Sequence, residues 1–80
     1  MSVEDYTAML ARQGGACAIC HRKSRQVLCV DHCHVSAKVR GLLCGKCNSG
    51  LGFFDENPSL MRTATAYLES QDVRDRMSDV

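Results

Sequence analysis

The sequence predicts a small α+β domain that depends on more than its apolar core for stability. Three observations carry that expectation. The chain has only 80 residues, too few to bury a large core. Six of them are cysteines, and four of these fall in two Cys-x-x-Cys pairs, Cys17/Cys20 and Cys44/Cys47. Between the pairs lie two short runs with strand character, and helical spacing flanks them on both sides.

Residues 3 to 13, VEDYTAMLARQ, set Tyr6, Met9 and Leu10 at helical spacing, with Ser2 as cap, Asp5 at the capping-box position and Gly14-Gly15 as the stop. This helix is expected to lie over the core that the cysteine pairs organise. Cys17 to Cys20 reads as a tight turn, and the polar run Arg22 to Gln26 as a hairpin or loop tip. Residues 27 to 32, VLCVDH, alternate as a strand with Val27, Cys29 and Asp31 on one face and Leu28, Val30 and His32 on the other. Asp31 and His32 then point different ways unless the chain bends. Val35, Ser36 and Ala37 make a turn, and Lys38 to Leu43, KVRGLL, return antiparallel, with Gly41 leaving room for a close approach. Residues 44 to 48 turn into a helix reaching about Phe54, weakened by Gly50 and Gly52. Asn57 caps a last amphipathic helix that starts at Pro58 and carries Leu60, Met61, Ala64, Tyr67 and Leu68. Residues 70 to 80 extend that helix or fray. One domain, residues 1–80, is expected, with a core at about 15–55 and a C-terminal helix at about 58–70.

The opening MSVEDY lacks a cationic region followed by an apolar run, and no stretch approaches membrane-spanning length, so no membrane partner and a cytoplasmic location are expected. Disulfides rarely persist there, which favours metal ligation by the cysteine pairs over two disulfides. The 23 residues between Cys20 and Cys44 are what a hairpin would consume. Four thiolates close a tetrahedral site with no open position, the mark of structural zinc. Cys29 and Cys33 read as a small strand residue and a turn residue, although a mixed site with Cys33 or His34 also satisfies the spacing.

The formal net charge is +1. Four thiolates on one Zn²⁺ would bring it to −1, so whole-molecule charge does not point to nucleic acid. Local charge does. Arg22, Lys23, Arg25, Lys38, Arg40 and Lys46 lie in an interval whose one acid is Asp31. Asp31 and Asn48 offer hard oxygen donors suited to Mg²⁺ or Mn²⁺, while His32 offers an imidazole able to take a proton from water. Phosphodiester hydrolysis needs such a base, a cation and positive side chains that hold the strand.

The motifs CAIC, VDHCH and KVRGLLCGKCNSGLG, from Cys17 through Gly52, resemble the recombination endonuclease VII family, a branch of the His-Asn-His, or ββα-metal (His-Me finger), nucleases. The resemblance implies a zinc-stabilised ββα-metal domain with flanking helices. It implies zinc on Cys17, Cys20, Cys44 and Cys47, a catalytic Mg²⁺ or Mn²⁺ on Asp31 and Asn48, and His32 as general base. His34 would contact the scissile phosphate or support the site, and Lys38 and Arg40 would contact DNA backbone. The expected activity is metal-dependent DNA endonuclease, nicking DNA, with branched DNA as a further substrate class and phage origin as context. Two features depart from the family. Cys33 stands where Asp is frequent, and the region after the core is shorter than in members that dimerise to resolve junctions. Monomer and homodimer, through residues 59 to 68, therefore stand side by side. A zinc-stabilised DNA-binding module without catalysis is the competing function. A zinc-built protein-interaction module would leave Asp31, His32 and Asn48 without a role.

Overall fold

The computed structural model describes residues 1–70, so the expectation for residues 71 to 80 lies outside the described residues. The elements are α1 (Val3–Arg12), β1 (Cys29–His32), β2 (Val39–Leu43), α2 (Gly45–Phe53) and α3 (Pro58–Glu69). This is an α+β arrangement of three helices and one two-stranded sheet among the described residues. The chain divides into two compact units, Met1–Gly50 and Leu51–Val80.

In the first unit, α1 begins and ends on its local chemistry. Ser2 Oγ accepts from the Asp5 amide at 3.1 Å, and the Asp5 carboxylate accepts from the Ser2 amide at 3.3 Å, a reciprocal capping box. At the other end the Gly15 amide donates to Leu10 O and the Gly14 amide to Ala11 O. Both glycines hold positive φ, which makes this a Schellman stop. Tyr6, Met9, Leu10 and Gln13 form the half-buried face. The Tyr6 hydroxyl donates to Leu28 O at 2.9 Å, tying α1 to the chain entering β1.

The antiparallel hairpin is shorter than its sequence pattern. Val27 is exposed and precedes β1, and β2 starts at Val39 rather than Lys38. Cys29 faces Leu43, Val30 faces Leu42 and Asp31 faces Gly41. His32 then faces Val39, so the register slips by one and Arg40 is the extra residue of a bulge. The irregularity falls opposite the Asp31–His32 step of β1, with the extra residue on β2. Buried side chains are few among the described residues: Ala16, Cys17, Leu28, Leu42 and Leu43. A lone two-stranded sheet is marginal in water, so this one needs support beyond its own pairing.

Part of that support is a side chain. Gln13 Oε1 accepts from the Leu42 amide at 2.9 Å, while Gln13 Nε2 donates to Leu42 O at 3.0 Å and to Ala16 O at 2.8 Å. The amide thus satisfies the outer edge of β2 as a third strand would. Gly41 permits it, since a Cβ there would sit 3.3 Å from Gln13 Oε1 and 3.6 Å from Ala18 Cβ. The close approach read at this glycine is that of a neighbouring side chain.

In the second unit, Asp55 and Glu56 hold positive φ in a turn closed by the Asp55 amide on Gly52 O and the Glu56 amide on Leu51 O. Asn57 Oδ1 accepts from the Leu60 amide at 3.1 Å with Pro58 in the first turn, the cap expected for α3.

Candidate metal centre and nuclease site

The two cysteine pairs meet because each sits in its own turn and the turns are hydrogen-bonded together. The first turn is closed by the His21 amide on Cys17 O and the Cys17 amide on Arg22 O, with Ala16 bridging to Lys23. The second is the start of α2, where the Asn48 amide donates to Cys44 O at 3.0 Å. In each turn an amide is directed at the leading sulfur: Ile19 N to Cys17 Sγ and Cys47 N to Cys44 Sγ, both at 3.4 Å. The Ala18 amide donates to Leu42 O at 3.1 Å, joining the first turn to the strand that leads into the second.

The sulfurs of Cys17, Cys20, Cys44 and Cys47 consequently all lie within 4.8 Å of one another, with Cys20 and Cys44 at 3.9 Å. A tetrahedral zinc with Zn–S bonds of about 2.3 Å requires sulfurs ~3.8 Å apart. The donor set fits zinc in chemistry and spacing. All six cysteines are free, so two disulfides do not describe this arrangement. Cys29 and Cys33 stand outside the cluster, as their readings as strand and turn residues require. Electrostatics point the same way. Burial raises the Cys17 thiol, but amides of Cys44, Cys20 and Ile19 outweigh it and bring its pKa down to about 6. Burial and the neighbouring thiols of Cys44, Cys17 and Cys20 push Cys47 up to about 12. One sulfur in the cluster readily ionises and another resists. A divalent cation at the centre removes that conflict by stabilising all four thiolates.

Asp31 is the most constrained oxygen donor. Arg40 Nε donates to its Oδ2 at 2.7 Å and Arg40 Nη2 to its Oδ1 at 2.9 Å, a bidentate pair made by the bulge residue. Each carboxylate oxygen keeps a further lone pair, so this pairing leaves capacity for a cation. His32 is exposed at the end of β1, and Asn48 is exposed in α2 one residue after Cys47. Neither side chain has a hydrogen-bond partner among the described residues, and no hydrogen bond or ion pair joins the side chains of Asp31, His32 and Asn48. His34 and Lys38 are exposed in the connection between the strands, where the Lys38 amide donates to Ser36 Oγ at 3.4 Å. In the same turn, the Ser36 hydroxyl lowers the Cys33 thiol, with amides of Ser36 and Val35 and the charge of Arg40 adding to it.

Sequence reasoning assigned Arg40 to the DNA backbone and missed its grip on Asp31. It also missed Gln13. No spacing signal marks a helix-terminal glutamine as a strand clamp. For Arg40 the signal misleads, because regular pairing would place it opposite His32.

The recombination endonuclease VII family matches residues 1–70 of the sequence. The Gene 59 protein of Mycobacterium phage D29 is 41% identical over 71 residues, covering 85% of this chain and 43% of that protein. The Gene 59 protein of Mycobacterium phage L5 is 38% identical over 68 residues, covering 81% of this chain and 42% of its own length. The chain therefore spans less than half the length of these curated relatives. No solved structure matches it at a significant level.

Proposed function

The chain belongs to the recombination endonuclease VII family, and from that membership we propose that it is a metal-dependent DNA endonuclease of the His-Asn-His, ββα-metal type. In this reading Cys17, Cys20, Cys44 and Cys47 hold a structural zinc, and Asp31 and Asn48 supply oxygens to a catalytic Mg²⁺ or Mn²⁺. When bound, that ion would neutralise charge on the scissile phosphate. His32 takes a proton from water at a ring nitrogen while the water oxygen bonds to phosphorus and the ester oxygen departs. Arg40, bonded to both carboxylate oxygens, holds Asp31 in one orientation. His34 contacts the phosphate, and Lys38, with Arg40, holds the strand. The ββα-metal core, residues 15 to 55, forms one nuclease domain with the helix after Pro58. Action on DNA in the cytoplasm of a phage host accords with the phage relatives.

The observation that carries the reading is the cysteine cluster. It supports roles for residues held beside it, because a zinc on Cys44 and Cys47 would pin the first turn of α2 and with it Asn48. Single-strand nicking, by a monomer or a homodimer, is the proposed outcome, with branched DNA as a candidate substrate.

The test is supercoiled plasmid incubated with the zinc-loaded protein and Mg²⁺ or Mn²⁺. Nicking is expected, and it should fall by about 10²–10⁴ in His32→Ala while zinc content and fold persist. Equal nicking by that variant would remove His32 as the base. The competing reading, a DNA-binding module without catalysis, draws support from the Asp31 carboxylate being held by Arg40. DNA binding without metal-dependent nicking would favour it.

A further inference from the structure

Beside the cysteine cluster lies a cleft of about 410 Å³ that the roles above do not use. Its walls carry Arg22, Lys23, Arg25 and Lys46, with Ser24 and Gln26 between them, and Cys20, Cys44 and Cys47 form its floor. No acidic residue lines it, and none of the four cations makes an ion pair among the described residues. All four are exposed. Both the first cysteine turn and the start of α2 contribute, so the cations are brought together by the same contacts that assemble the metal site.

Like charges gathered in one concavity repel, and part of that repulsion has a local answer. A zinc tetrathiolate carries two negative charges, against four cations in the walls. Two positive charges remain in excess. Arginine forks with intervening hydroxyl and amide groups suit phosphate oxygens, and the volume suits a length of backbone rather than one small ion. We infer that this cleft is a docking site for the phosphodiester backbone of a DNA strand, separate from the residues proposed for hydrolysis. The inference rests on DNA being the substrate and adds how the strand is held outside the reacting bond.

Salt dependence reads such contacts directly. Binding of the intact zinc-loaded chain to a labelled DNA duplex, followed by fluorescence anisotropy without Mg²⁺ across a salt series, gives the slope of log K against log salt. The slope should become shallower by about one for each lost phosphate contact in the triple variant Arg22→Gln, Lys23→Gln, Arg25→Gln. Lys46→Gln alone, on the other wall, should reduce it by about one. In the plasmid assay both variants should raise KM and leave kcat in place. Unchanged slopes in folded variants overturn the docking site while leaving the nuclease reading intact. Unchanged slopes with weakened zinc binding also overturn it, since the cations would then serve as counter-ions of the cluster. Shallower slopes without any wild-type nicking sustain the docking site and remove the nuclease reading.

Discussion

The side-chain amide of Gln13 pairs with both polar groups of Leu42, which gives one surface-helix residue the hydrogen-bonding role of a neighbouring strand. Its loss leaves the Leu42 amide and carbonyl without that partner in a partly buried setting. Gln13→Ala is therefore expected to cost about 1–3 kcal/mol, read as a lower urea midpoint for the zinc-loaded protein. A midpoint within error of wild type would show that water replaces the clamp. Arg40 makes a parallel point about electrostatics. Both oxygens of Asp31 are engaged, so the carboxylate is oriented before any cation arrives. Such a pair holds the carboxylate in one rotamer, which the proposed role of Asp31 as a ligand for a hard cation requires.

At the scale of elements, helix ends were readable and strand ends less so. The Ser2–Asp5 box, the Gly14-Gly15 stop and the Asn57-Pro58 cap are satisfied by neighbours within a few residues. Strand limits depend on the partner strand, and the bulge at Arg40 moved them. The two cysteine turns are elements in their own right, and their joint is the Ala18–Leu42 hydrogen bond together with the sulfur cluster. Replacing one ligand should undo both turns. Cys44→Ser is expected to lose the bound zinc and cooperative unfolding, whereas Cys29→Ser, outside the cluster, should keep one zinc per chain. Circular dichroism with metal analysis distinguishes them, and a fully folded Cys44→Ser chain would remove zinc as the organising ligand.

For the whole molecule, a zinc ion at the cysteine cluster would compete with protons for the same sulfurs. Without metal, Cys47 is protonated at neutral pH because its pKa lies at about 12, while Cys17, at about 6, is largely ionised. The zinc-bound state holds no proton on either sulfur, so binding releases protons and affinity must rise with pH. Competition titrations against a chelator should show tighter zinc binding at about pH 8 than at about pH 6, and calorimetry in buffers of different ionisation enthalpy should report the released protons. No helix among the described residues is long and apolar enough to cross a membrane. By itself the sequence determined the helix ends, the presence of a hairpin and the two cysteine pairs that cluster, because capping, alternation and Cys-x-x-Cys spacing are properties of residues close together in the chain. Only the tertiary structure decided that Arg40 holds Asp31, that Gln13 closes the edge of β2, and that four cations line one cleft. Those outcomes depend on a one-residue slip in register and on contacts between distant segments, to which local periodicity is blind.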